Sequence, residues 1–279
     1  MNLHNVINEI ENVDPEVYQR LDGRRGALKN FSGIAGKVAL ASLPLMLSAM
    51  FKKAYGQSSS AIVNVLNFAL TLEYLESEFY KKAVGTSGLI AAADLPGFTS
   101  IRDHEVAHVA VLRQTITQLG GTPVSFTFAN FDYTAGNGSM SGPYANVFSN
   151  YDTFLAVSQA FEDTGVRAYK GQAGNLISNN DVLTAALQIH SVEARHASFV
   201  RYLRQKKGAT SNKPWITANN AGGVPGVAPV YAGEENTMQG SAQITGIGGT
   251  GISSGAASEA FDEPLTQAQV TSIVDPFII

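Results

Sequence analysis

Between residues 57 and 208 the apolar positions recur at steps of three and four, the repeat of α-helices that each bury one face. Ile62, Leu66, Ala69, Glu73, Glu76 and Tyr80 share the first stripe, and Ile101, Glu105, His108, Leu112, Thr115 and Leu119 the second. Tyr151, Leu155, Ser158, Glu162, Gly165, Tyr169, Gln172 and Leu176 form the third, and Val182, Ala186, Ile189, Glu193, His196, Val200 and Leu203 the fourth. Gly120-Gly121 and Pro123 end the second helix. A short Gly- and Pro-containing loop near residues 85–98 joins the first two helices, and Ser178-Asn179-Asn180 joins the last two. The stretch from Gly121 to Asn150 separates the two pairs. The pattern predicts an all-α four-helix bundle with one long crossover between the second and third helices. Within that crossover Val124, Phe126 and Phe128 alternate with Ser125 and Thr127, which predicts a short extended segment laid against the bundle, with Phe131 and Tyr133 close behind.

The flanks differ in pattern. Residues 1–56 run from a polar stretch through Arg24-Arg25 to an apolar run from Val38 to Phe51, then Lys52-Lys53 and Ala54-Tyr55-Gly56. The apolar run falls short of the about 20 residues a membrane-spanning helix needs. Its order fits an export signal, and the paired arginines resemble a twin-arginine signal, with Gly23 and Ala27 where Ser/Thr and Phe are usual. The expected location is therefore extracytoplasmic, periplasmic or secreted, with membrane contact only through this segment if it is retained. Residues 209–279 lose the helical repeat. Ten of the 27 glycines fall between Ala221 and Ala256, a composition that raises the entropy cost of ordering. The segment reads as an irregular Gly-rich C-terminal tail, dispensable for folding of the bundle, ending in a short helix to about Val274 with Thr266 as N-cap.

The stripes also carry the chemistry. Each helix places a carboxylate on its buried face, and two add a histidine three residues later, Glu105/His108 and Glu193/His196. Burying so many carboxylates at one level is costly, and cations remove both the desolvation and the repulsion. One Glu from each of two helices with Glu-x-x-His from each of the other two is the ligand set of di-iron carboxylate bundles. Composition narrows the donors. The 279 residues include no cysteine, so thiolate sites and thiol catalysis are excluded. The net charge of −4 supplies no basic field, so no nucleic-acid partner is expected.

Leu72-Glu73-Tyr74-Leu75-Glu76-Ser77-Glu78-Phe79-Tyr80, Glu105-x-x-His108, Phe161-Glu162-Asp163-Thr164-Gly165-Val166 and Glu193-Ala194-Arg195-His196 resemble the ferritin-like family that includes plant desiccation-related proteins and many bacterial secreted proteins. The likeness covers about residues 59–207, and Phe261-Asp262-Glu263-Pro264-Leu265 resembles a C-terminal unit of the bacterial members. The resemblance implies a ferritin-like four-helix bundle with Glu73, Glu105, His108, Glu162, Glu193 and His196 as metal ligands. Glu76, one turn beyond Glu73, is an added ligand or an outer group. Tyr80 and Tyr169 are expected as packing residues with satisfied hydroxyls, with an outer-shell or redox role as the alternative.

His104-Glu105-Val106-Ala107-His108 also matches the H-E-x-x-H helix of zinc hydrolases, in which both histidines bind the metal. That reading leaves Glu162, Glu193 and His196 unexplained. It also needs His104 inward, whereas His104 stands about 100° around the helix from Glu105. The expected cofactor is two metal ions, iron first, with manganese or zinc as alternatives. The expected partners are metal ions and O₂ or peroxide in a homo-oligomer. The alternative is a structural or stress-protection protein that assembles through its tail and crossover without turnover. Replacing Arg24 and Arg25 together by lysine is expected to retain the protein in the cytoplasm. Unchanged extracytoplasmic protein on cell fractionation would reject the twin-arginine route.

Overall fold

The structure, a computed structural model, describes residues 59–249 and 251–279; the export signal expected in residues 1–56 lies outside the described residues. Four long helices carry the fold: α1 (Ser59–Gly85), α2 (Leu95–Gln118), α3 (Tyr151–Ala173) and α4 (Asn180–Lys206). α1 lies chiefly against α2, and α3 against α4. Local chemistry sets the helix starts. Pro96 sits in the first turn of α2, where its missing N–H costs no helix bond, so α2 begins inside the stretch expected as loop. The Asn150 and Asn179 side chains accept the Thr153 and Val182 N–H groups at 2.9 and 3.2 Å, capping α3 and α4. No helix among the described residues is long and apolar enough to cross a membrane.

The stripes meet in one core. Ile62, Leu66, Ile101, Leu112, Leu155, Val182, Val200 and Leu203 are all buried in it. Phe79 stacks on Phe154 and meets Phe161 edge-on, both at 5.2 Å, and Phe98 meets Phe154 edge-on at 4.9 Å. The first part of the crossover follows the bundle as extended chain, and Phe131 forms an isolated antiparallel bridge with Ile278 near the C-terminal end. The Val124 N–H donates to Asn67 Oδ1 at 2.9 Å, and Phe126 lies edge-on to Tyr74. Phe128 departs from the expected alternation, since it opens a 3₁₀ turn (Phe128–Asn130) and is exposed.

The C-terminal segment is irregular in backbone, with only short elements: α5 (Ala228–Tyr231), β1 (Met238–Gln239) paired with β2 (Ala242–Gln243), α6 (Ser254–Ser258) and α7 (Gln267–Val274). Thr266 caps α7. The expectation that this segment is dispensable does not fit its packing. Ile216, Val224, Val227, Val230, Tyr231, Leu265, Val270, Val274 and Phe277 are buried in the same core as the helices. Buried charge ties it down further. On α3, Arg167 is 1% exposed, pairs with Glu234 at 2.7 Å, and donates to the carbonyls of Val230, Ala232 and Glu263. Arg201 on α4 donates to both oxygens of Asp163 at 3.0 Å and to Asn212 at 2.9 Å, and the Tyr231 hydroxyl donates to Asp163 at 2.7 Å. A Cβ at Gly171 would stand 1.9 Å from the Leu265 carbonyl oxygen, so only glycine lets the chain pass so close to α3.

Truncation after Lys207 is therefore expected to unfold the bundle, because Arg167 and Arg201 would lose the groups that compensate their burial. The milder change Glu234→Leu leaves Arg167 buried without its counter-ion and is expected to cost about 3 kcal/mol. Denaturant melts of both variants check this; a truncated chain with the full stability of the intact one would refute an integral layer.

Candidate metal centre

Glu73, Glu105, His108, Glu162, Glu193 and His196 are drawn from all four helices and meet inside the bundle, each at most 8% exposed. They form two groups. Glu73, Glu105, His108 and Glu193 offer one donor atom apiece with all four atoms within 4.8 Å of one another, and Glu105, Glu162, Glu193 and His196 do the same. Glu105 and Glu193 belong to both.

The distances show how. His108 Nδ1 lies 3.1 Å from Glu73 Oε2, 3.3 Å from Glu105 Oε2 and 3.1 Å from Glu193 Oε1. His196 Nδ1 lies 3.0 Å from Glu105 Oε1, 3.2 Å from Glu162 Oε2 and 3.7 Å from Glu193 Oε2. Each shared carboxylate thus turns one oxygen to each histidine. Yet Glu105 Oε1, Glu162 Oε2, both Glu193 oxygens and His196 Nδ1 are buried and make no hydrogen bond. Buried polar atoms are seldom left so. Convergent carboxylate oxygens and imidazole nitrogens, aimed at common points, suit cations held by O and N donors. Four carboxylates also balance the charge of two divalent ions. The buried carboxylate and histidine cluster is compatible with a di-metal site.

The other carboxylate oxygens are held by tyrosines. Tyr80 on α1 donates its hydroxyl to Glu162 Oε1 on α3, and Tyr169 on α3 donates to Glu73 Oε1 on α1. Beyond packing, both hydroxyls orient these two carboxylates, which is the outer-shell alternative of the sequence analysis. The signal was present, since Tyr80 and Tyr169 each follow a stripe glutamate by seven residues, two helical turns along the same face.

Glu76 is buried on the same stripe but belongs to neither group. The Cβ position of Gly165 would lie 3.5 Å from Glu76 Oε1 and 3.6 Å from Glu193 Oε2, so Glu76 stands beside the cluster, near Glu193. His104 is exposed on α2 and joins neither group. Its Nδ1 lies 2.9 Å from His196 Nε2, the nitrogen facing away from the carboxylates, and the two rings stack 5.2 Å apart. A zinc helix with His104 and His108 both inward is not formed.

Charge within the cluster is shared between protons and groups. Burial, reinforced by neighbouring glutamates, holds the Glu73 carboxyl well above the usual carboxylate range despite His108. Burial pushes Glu162 to about 8 against the pull of His196. Burial works against Glu105 and Glu193 as well, but contact with His108 and His196 outweighs it and lowers both. The carboxylates raise both histidines well above the usual imidazole range, although burial opposes it. Donors must lose these protons to bind metal, so loading displaces protons.

Glu76 is raised most simply, by burial first and then by Glu193, Glu162, Glu105 and Glu73, with no cation opposing. Its folded value exceeds its unfolded one, so its protonated form is the one folding favours. That contribution is complete below the unfolded value and is lost as pH rises through the raised one. Glu76→Gln keeps the shape without the charge. It is expected to raise the Tm of metal-free protein by a margin that widens as pH rises above the ordinary carboxylate range toward the raised Glu76 value. Parallel pH slopes for variant and parent would show that another group carries the effect.

A profile for a ferritin-like domain matches residues 61–206, more than half of the chain and all but the first two residues of the bundle's four helices. A comparison with curated proteins finds no match. With the bundle, its crossover and the carboxylate–histidine cluster in place, the match shows that the chain belongs to the ferritin-like domain family.

Proposed function

We propose that the cluster is a di-iron centre and that the protein is a redox enzyme or iron handler acting on O₂ or peroxide. The observation that carries this reading is the convergence of buried donor atoms from four carboxylates and two imidazoles, with five of those atoms, on Glu105, Glu162, Glu193 and His196, left without hydrogen bonds. Glu73 and His108 would hold one ion and Glu162 and His196 the other, with Glu105 and Glu193 offering an oxygen to each. Oxygen and imidazole donors without thiolate suit iron or manganese, and zinc also accepts them. Iron supplies a ferrous–ferric cycle and open coordination positions for O₂ or peroxide when bound.

The chain's own groups support that use. Tyr80 and Tyr169 each occupy one oxygen of the outer carboxylates Glu162 and Glu73 and leave the other free to face inward. Burial and the neighbouring glutamates favour a proton on the Glu76 carboxyl beside Glu193. Every ligand is buried, with His108 the most open at 8%, which favours a small oxidant over a bulky organic substrate. The structural alternative has the tail and crossover mediate assembly, and several apolar residues of the tail are buried in its own bundle. Export through the Arg24-Arg25 segment and a homo-oligomeric state are part of the same proposal.

Purified protein loaded with Fe²⁺ without air is expected to hold two ions per chain and to oxidise them when O₂ or peroxide is added. His196→Ala and Glu193→Ala are each expected to lower the metal-to-protein ratio sharply, as read by elemental analysis. Full metal content without turnover would favour the structural alternative. Unchanged metal content in both variants would reject the ligand set.

A further inference from the structure

We propose that the two metal positions are unequal, the His196 side being the tighter, and that His104 is the positioning residue that makes it so. The inference rests on the metal-centre reading above. It begins from a near-symmetry. α1 and α3 each carry a glutamate followed by a tyrosine seven residues on, Glu73/Tyr80 and Glu162/Tyr169, and each tyrosine bonds the other helix's glutamate. α2 and α4 each carry Glu-x-x-His. The two halves of the centre are therefore built alike in their inner residues.

They differ one residue earlier. His104 precedes Glu105, whereas Val192 precedes Glu193. His104 Nδ1 reaches His196 Nε2 at 2.9 Å, with the rings 11° from parallel. With His196 Nδ1 committed to a cation, its ring proton sits on Nε2 and donates to His104 Nδ1. That bond fixes both the tautomer and the rotation of the His196 ring, as outer partners of metal-bound histidines do. Valine has no group that could do the same from the matching position. The atoms without hydrogen bonds fall mostly on one side. Glu105 Oε1, Glu162 Oε2, Glu193 Oε2 and His196 Nδ1 belong to the His196 side and only Glu193 Oε1 to the His108 side, where His108 Nδ1 already has hydrogen-bond geometry to Glu73 and Glu105. The His196 side is held ready for an ion; the His108 side must first give up contacts of its own.

The test uses metal-free full-length protein titrated with Zn²⁺ against a chromophoric chelator. Two binding steps of different affinity are expected. His196→Ala should abolish the tighter and His108→Ala the weaker. His104→Ala should weaken the tighter step by about 10- to 100-fold and leave the weaker unchanged. His104→Gln, whose amide oxygen can accept the same bond, should restore most of the loss. Long-range ¹H–¹⁵N spectra of the Zn²⁺-loaded protein should show His196 bound through Nδ1 and protonated at Nε2, with the Nε2 proton exchanging with water faster in His104→Ala than in the parent. His104 is exposed, so helicity by circular dichroism should be unchanged in both His104 variants. Two equal steps in the parent, or a His104→Ala variant that shifts both steps alike or neither, overturn the inference and leave the metal centre standing. A parent chain that binds no Zn²⁺ overturns the metal centre itself.

Discussion

Five carboxylates buried at one level of a helical bundle are the constraint on which the rest depends. Glu73, Glu76, Glu105, Glu162 and Glu193 are each at most 3% exposed. Left ionised and unpaired they would oppose folding. The surrounding groups answer that cost in graded ways. Two histidines turn their Nδ1 atoms inward, two tyrosine hydroxyls donate from opposite helices, and burial shifts the Glu73 and Glu76 carboxyls toward their protonated forms. Two cations would replace the protons, and the donor atoms without hydrogen bonds mark where they fit. Stability and chemistry thus meet in the same residues.

The second consequence falls on α3. Nearly every residue from Phe154 to Tyr169 is buried, so this helix has no solvent face. One side delivers Glu162 and Tyr169 to the cluster; the other carries Asp163 and Arg167. A helix buried all round needs cover on both sides. The C-terminal segment supplies it with Val230, Tyr231, Glu234 and Leu265. Asp163 lies next to Glu162 in sequence, so the tail's hold on α3 and the placement of a ligand are mechanically close. The tail belongs to the scaffold that positions the site.

How much of this was legible in the sequence follows from what each signal measures. Helical phase is local. It is written in steps of three and four, and it was enough to assign the four helices, the long crossover and the buried carboxylates to shared faces. The capping residue Thr266 was equally local and equally readable. The seven-residue spacing of Glu73/Tyr80 and Glu162/Tyr169 was there too, but spacing places a tyrosine on a face without saying which oxygen its hydroxyl meets.

What tertiary structure decided was every contact between segments distant along the chain. Glycine content measures the entropy cost of ordering a segment. It does not measure the compensation offered by a few well-placed apolar residues and by carbonyls facing buried arginines, so the tail read as dispensable. His104 lies off its helix stripe, and its partner is 92 residues away on another helix. The sequence by itself determined the elements, the faces and the donor types, because those depend on neighbours within one or two helical turns. Only the folded chain determined which oxygen faces which histidine, which nitrogen of His196 is left for His104, and what covers α3. Those depend on the relative placement of whole helices, which residue spacing does not encode.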